Sequence, residues 1–174
     1  ALVVPHEVKF AGVAHDEKRV QIGHDLKAEK LDAAVITSPA SIAWAFNIRG
    51  GDVSCTPLPL GRAILFADGS ADLFLDEVKV SDALRQHLGN SVTLRPLADL
   101  EKGLSDLKGK TVSVDPDVAS AWFFDQLEQA GATPVRQRDP VALPKACKND
   151  AELAGSAAAH LRDGVALTRF LHWL

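Results

Sequence analysis

The chain has 174 residues, of which 47% are apolar and 24% charged, with a formal net charge of -4 and a pI near 5.8. This is the make-up of a folded globular chain, long enough to bury one good core, or one domain with a piece of a second. The acidic balance gives no attraction to phosphate backbones or anionic bilayers, and no apolar run reaches the roughly 20 residues of a membrane span, so neither nucleic acid nor membrane is expected as a partner.

Pro5 and Gly12 mark an irregular first segment. Met is absent even from position 1, so Ala1 is not expected to be the natural start; separately, Ala1-Leu2-Val3-Val4-Pro5 lacks the charged flank and cleavage site of a signal peptide. From about Asp16 to Lys30, charge mixes with Val20, Ile22 and Leu26, as in a surface helix. Ala33-Ala34-Val35-Ile36 is a short continuous apolar run of the kind buried in an α/β sheet, and Ser38-Pro39 supplies the N-cap and first position of the next helix. That helix carries Ile42, Ala43 and Phe46 and should end at Asn47-Ile48-Arg49-Gly50-Gly51-Asp52, followed by a loop punctuated by Pro57 and Pro59.

Asp68-Gly69 between Ala63-Ile64-Leu65-Phe66 and Ala71-Asp72-Leu73-Phe74-Leu75 predicts a β-hairpin. Ser81 should cap a helix running to about Leu88, and Val92-Thr93-Leu94 reads as a strand. Leu97, Leu100, Leu104 and Leu107 mark one helical face, and Thr111-Val112-Ser113-Val114 is a second buried strand. A helix from about Asp117 to Ala130 carrying Val118, Trp122 and Leu127 should stop at Gly131, before a last strand at Pro134-Val135. The alternation gives an α/β fold, a mixed β-sheet flanked by helices. Asp139 to Lys148 reads as a linker, and a long C-terminal helix follows.

That last helix is the best specified. Asn149 is a good N-cap and Glu152 stands three residues on, where it can reach back as in a capping box. Leu153, Ala157, Leu161, Val165 and Leu171 recur at helical spacing over about 39 Å. Leu171-His172-Trp173-Leu174 offers no Gly, Pro or polar stop, and the chain is expected to be cut inside a helix that belongs to a following domain.

His160 and Asp163 are three apart on the last helix, a spacing used by metal ligands and equally common in solvated pairs. His15, Asp16, His24 and Asp25 read as a charged helix face, and Trp122-Phe123-Phe124 as core rather than a stacking platform. Asp115 and Asp117 bracket a Pro at a helix start, where acids favour the dipole. Cys55 and Cys147 form no C-x-x-C pattern, which disfavours a disulfide framework or structural zinc and suits a reducing cytoplasm. There is no G-x-S-x-G elbow and no phosphate-cradling glycine loop.

Two segments say more. Ser38-Pro39-Ala40-Ser41-Ile42-Ala43-Trp44-Ala45-Phe46-Asn47-Ile48-Arg49-Gly50-Gly51-Asp52-Val53 resembles the S-P-x-S-I-A-W-x-x-N-I-R-G-x-D-V stretch of the aminopeptidase P family, the Xaa-Pro aminopeptidases. Lys145-Ala146-Cys147-Lys148-Asn149-Asp150-Ala151-Glu152-Leu153-Ala154-Gly155, with Ala159-His160-Leu161-Arg162-Asp163, resembles that family's K-A-x-K-N-x-x-E-x-x-G and A-H-x-R-D. The resemblance implies a creatinase/prolidase N-terminal-like domain over residues 1-140, a linker over 141-148, and the first helix of a truncated pita-bread catalytic domain over 149-174.

It also implies a complete enzyme that hydrolyses the bond after the N-terminal residue of peptides with proline second and uses two divalent metals, usually manganese; that enzyme is expected to be cytoplasmic and a homodimer. The family's metal ligands and proton-handling histidines lie further along, so no residue of this chain is assigned a catalytic, cofactor-binding or metal-ligating role. Asn47, Arg49 and Asp52 are the candidates for a cleft or interface loop, against the alternative that Arg49 and Asp52 merely tie the loop to its own domain. The competing functions are a non-enzymatic binding or dimerisation module of the same fold, and part of a prolidase- or creatinase-type enzyme.

Overall fold

The structure, a computed structural model, describes all residues from 1 to 174. In chain order the elements are β1 (Val4–Pro5), α1 (Val8–Ala11), α2 (His15–Ala28), β2 (Ala33–Ile36), α3 (Pro39–Ala45), β3 (Ile48–Arg49), β4 (Arg62–Phe66) and β5 (Ala71–Leu75). They continue with α4 (Asp82–Leu88), β6 (Val92–Pro96), α5 (Leu100–Ser105), β7 (Thr111–Val114), α6 (Ala121–Ala130), β8 (Thr133–Arg136), α7 (Ala142–Ala146) and α8 (Asp150–Trp173). Six strands form one mixed sheet in the order β6-β5-β4-β2-β7-β8, and β1 and β3 form a separate antiparallel pair.

The run at Ala33–Ile36 lies at the middle of this sheet, antiparallel to β4 and parallel to β7. Successive side chains of a strand point to opposite faces, so a strand covered on both sides must be apolar throughout. Ala34 and Ile36 enter a core with Ile22, Leu26, Ile42, Phe46, Leu65 and Leu84, beneath α2, α3 and α4. Ala33 and Val35 enter a second core with Ile64, Phe74, Leu104, Val114, Phe124 and Leu127, beneath α5 and α6. The result is three layers, helices on either side of the sheet, as the alternation of elements predicts. The hairpin is present with β4 and β5 antiparallel, Gly69 at φ +84°, and Asp68 Oδ1 accepting from the N–H and hydroxyl of Ser70.

Several expectations are corrected. Helix α2 is not simply a surface helix, because Lys18 and Arg19 are buried with Ile22 and Leu26 while Val20 is 61% exposed. Helix α6 begins at Ala121, four residues later than expected, since Asp115 holds the preceding turn by accepting from the Asp117 N–H. Val118 and Trp122 consequently stand outside the core that Phe123 and Phe124 enter. The connection between β8 and α8 carries the short helix α7 and is anchored at its start. Asp139 donates its N–H to Asp115 and accepts from the N–H of Val141, whose side chain is fully buried. Burial raises the Asp139 carboxyl above its ordinary pKa.

A polar network joins α2 to α4. Arg19 Nη1 donates to His15 Nδ1, so the proton of the neutral ring is on Nε2, which donates to His87 O at 2.7 Å. His87 Nε2 in turn donates to Phe46 O at 2.9 Å, and Arg19 Nη2 to Ser91 Oγ at 2.8 Å. Burial, and then the charge of Arg19, lower the His15 pKa, against the opposing hydrogen bond to His87 O. A histidine whose folded pKa is depressed takes up its proton first in the unfolded chain. Its share of stability is complete above its ordinary value of 6.5 and is lost as pH falls below that value. Chemical denaturation at pH 7.5 and pH 5 should show a loss of stability in acid that is smaller for His15→Gln; equal losses would contradict this origin.

Candidate functional site

Helix α3 begins with the Ser38 hydroxyl accepting from the Ser41 N–H and with Pro39 in its first turn. It stops at Phe46, and Asn47 follows at φ +47°, a left-handed conformation that Asn tolerates better than most side chains. That turn sends the chain into β3, where Ile48 and Arg49 pair with Pro5 and Val4, and His6 N–H donates to Asn47 O at 2.7 Å. One wall of a groove of about 540 Å³ is thereby assembled from His6, Asn47 and Arg49, with Pro57 and Leu58 beside them. Trp44 and Lys18 line it from α3 and α2, and Lys145, Lys148, Ala151, Glu152 and Gly155 close it from the start of α8 and the segment before it.

Lys18 organises the floor. Its ammonium donates to Asn47 Oδ1 at 2.8 Å and Trp44 O at 3.2 Å and lies 4.0 Å from the centre of the Trp44 ring. The Asn47 amide completes the link by donating to Val13 O at 2.9 Å. Lys18 is only 4% exposed and has no carboxylate partner within ion-pair distance. Burial, helped by the Arg49 charge and opposed by Glu152, pulls its pKa down to about 8. Burial also lowers Arg49, and lowers His6 together with the charges of Arg49 and Lys18.

The start of α8 is clasped to this floor. The capping box is complete: Asn149 Oδ1 accepts from Glu152 N–H at 3.0 Å and Glu152 Oε2 from Asn149 N–H at 3.1 Å. Each of these side chains also reaches the α/β domain. Asn149 Nδ2 donates to Ala11 O at 2.8 Å, and Trp44 Nε1 donates to Glu152 Oε1 at 2.9 Å. Gly12, at φ +75°, makes room, since a Cβ there would lie 2.3 Å from Asn149 Oδ1. From Leu153 onward α8 is exposed almost throughout, with Leu161, Leu167, Phe170 and Trp173 all more than half exposed.

The three residues singled out in the Asn47-Asp52 loop divide. Asn47 and Arg49 meet at the groove, whereas Asp52 turns away from it. Asp52 accepts from Leu60 N–H at 2.7 Å and pairs with Lys79 at 2.9 Å, and these bonds hold its carboxyl below the ordinary range. Asp52 therefore ties the loop to its own domain. Sequence reasoning missed Lys18, Trp44 and His6, and saw Glu152 only as a cap. The signal for Lys18 was its spacing, since it stands four and eight residues before Ile22 and Leu26 on the same helical stripe.

No three His, Cys, Asp or Glu side chains converge as a metal site requires, and His160 Nδ1 is engaged with Ser156 O at 2.8 Å, so these residues do not fit a metal centre. Cys55 and Cys147 are free and exposed. No helix is long and apolar enough to cross a membrane.

The fold is thus an α/β domain with a groove walled on one side by the first turns of its terminal helix. Residues 1–152 match the creatinase/prolidase N-terminal domain, and the chain belongs to that family. A protein of Paracoccidioides brasiliensis (strain Pb03) named "Probable Xaa-Pro aminopeptidase P" is 34% identical over 188 residues, 99% of this chain and 30% of that protein. A protein of the same name from Coccidioides posadasii (strain RMSCC 757 / Silveira) is 36% identical over 182 residues, 99% of this chain and 29% of that protein. The chain therefore spans under a third of the length of the curated relatives it matches. The structure of X-prolyl aminopeptidase from Caenorhabditis elegans, described as a cytosolic enzyme with a di-nuclear active site, superposes with a TM-score of 0.89 at 27% identity. That match covers 99% of this chain and 29% of the worm protein. The Xaa-Pro dipeptidase from Bacillus anthracis shares the fold, with a TM-score of 0.71 at 15% identity over 91% of this chain and 44% of its own.

Trp44→Phe keeps the ring over Lys18 and removes the N–H to Glu152. It should cost about 1.5–3 kcal/mol, the range for a hydrogen bond to a charged group, and should raise amide exchange in the first turn of α8. Unchanged exchange there would mean that the bond does not hold the helix.

Proposed function

We propose that the chain is a non-catalytic part of a metal-dependent Xaa-Pro aminopeptidase, which hydrolyses the bond between the N-terminal residue of a peptide and a proline in second place. Residues 1-140 are assigned to the N-terminal-like domain, 141-148 to the connection, and 149-174 to the first helix of the catalytic domain. The observation that carries the reading is α8: it is clasped at its first turn by Asn149 and Glu152 and bare of contacts beyond. A helix of 24 residues whose apolar side chains face water is suited to cover by further protein. Near-complete coverage of this chain, against under a third of the fungal relatives, supports the same view.

The two divalent metals, manganese on the strength of the resemblance, are assigned to side chains outside this chain. The complete enzyme is proposed to be a cytoplasmic homodimer. Within it the present residues orient rather than react. The Lys18-Asn47 bond fixes the turn that presents Arg49, and the Trp44-Glu152 bond fixes the helix on the opposite wall. Asn47 and Arg49 then stand at the cleft, and Asp52 anchors their loop.

Supplied with manganese and an Xaa-Pro-Pro peptide, a protein extended past Leu174 through the catalytic domain should release the first residue, and the 174-residue chain should not. Cleavage by the short chain would overturn the assignment. In the extended enzyme, Arg49→Ala should lower kcat/KM by about tenfold or more, the scale of one charged hydrogen bond, or change the oligomeric state. No change in either would remove Arg49 from the cleft.

A further inference from the structure

The groove carries more positive charge than its own side chains neutralise. Lys18, Arg49, Lys145 and Lys148 line it against one carboxylate, Glu152. Both Glu152 oxygens are already taken, one by Trp44 Nε1–H and the other by Asn149 N–H. None of the four cations makes an ion pair. Arg49 uses only Nη1 within the chain, donating to Ile48 O at 2.9 Å and Ala43 O at 3.2 Å, so Nε and Nη2 keep their N–H groups for another acceptor. A half-buried guanidinium with a free edge is matched in shape and charge by a carboxylate, which takes two parallel N–H bonds. His6 and Asn47 add polar groups, and the remaining lining, including Phe10, Ala40, Ala43, Pro57 and Leu58, offers apolar surface to the hydrocarbon of a peptide, which a free inorganic anion would not use.

We propose that this groove is a carboxylate-binding subsite, in which Arg49 receives the free C-terminal carboxylate of a short peptide and Lys145 and Lys148 add charge at its rim. A cation shielded from water gains more from an anion than an exposed one does, because the local dielectric is lower. Lys18 does not contact the carboxylate. It is saturated by Asn47, Trp44 O and the indole ring and acts as a fixed positive charge beneath the site. The subsite requires a peptide ligand and so rests on the peptidase reading for its occupant, whereas the affinity for a carboxylate rests on the groove alone.

The direct test uses the ¹⁵N-labelled 174-residue chain and follows the Trp44 indole N–H and the Arg49 guanidinium during titration with Ala-Pro-Ala. The free acid should shift both signals and bind about tenfold or more tighter than the C-terminal amide, as expected for one charged bidentate pair. Replacing both rim lysines, Lys145→Gln with Lys148→Gln, should weaken the acid several-fold with the melting temperature unchanged. Equal binding of acid and amide, no shift at millimolar peptide, or tighter binding of inorganic phosphate than of the acid would overturn the subsite.

In the complete enzyme, kcat/KM should favour the acid over the amide, and the double lysine variant should narrow that preference. An enzyme that hydrolyses both equally refutes the subsite and leaves the peptidase intact. An enzyme that hydrolyses neither refutes the peptidase, and the titration still judges the groove.

Discussion

A pair of side chains in one helical turn does two jobs at once, and the arrangement of the molecule around the groove follows from that. Asn149 and Glu152 satisfy the free N–H groups that any helix start exposes, and the atoms left over bind Ala11 O and the Trp44 indole, more than a hundred residues away in sequence. A cap that faced water would start the helix and leave its direction free. Here the same bonds that start α8 also aim it. Gly12 is part of the arrangement, because no side chain fits between its Cα and the Asn149 amide.

The cost of this design is buried positive charge. Lys18 and Arg19 are adjacent, nearly inaccessible and without carboxylate partners, and Arg19 Nε is buried with no acceptor. Unpaired buried charge is among the most expensive features a fold can carry. Indole and phenyl rings offset part of it, Trp44 over Lys18 and Phe46 over Arg19, and carbonyl oxygens and the Asn47 amide offset more. The two cations serve different joints. Arg19 links α2 to α4 through His15 and Ser91, while Lys18 holds the Asn47 turn and charges the groove.

The layers, the central strand, the hairpin and the caps at Ser38, Ser81 and Asn149 were legible in the sequence because each is decided locally, by alternation, turn chemistry or a side chain reaching its own backbone. The groove was not, because its residues come from segments far apart in the chain and no local pattern relates Lys18 to Glu152. Lys18 and Arg19 were misread since charge ordinarily marks the solvent side of a helix, and only the identity of the facing residues, Trp44 and Phe46, reverses the rule. Trp122 was read as core with Phe123 and Phe124, but in a helix that starts only at Ala121 it falls on the outer side. Asn47, Arg49 and Asp52 looked like one unit in the loop motif. The turn at Asn47 and the anchor of Asp52 on Lys79 separate them.

The clasp should make α8 a rigid extension of the α/β domain. Backbone residual dipolar couplings of the 174-residue chain measure this, because a single alignment tensor describes only parts that move together. Couplings from the six-stranded sheet and from the first two turns of α8 should fit one tensor, with the helix direction as described. Two different tensors, or couplings in α8 averaged toward zero from Asp150 onward, would show that Asn149 and Glu152 cap the helix without aiming it.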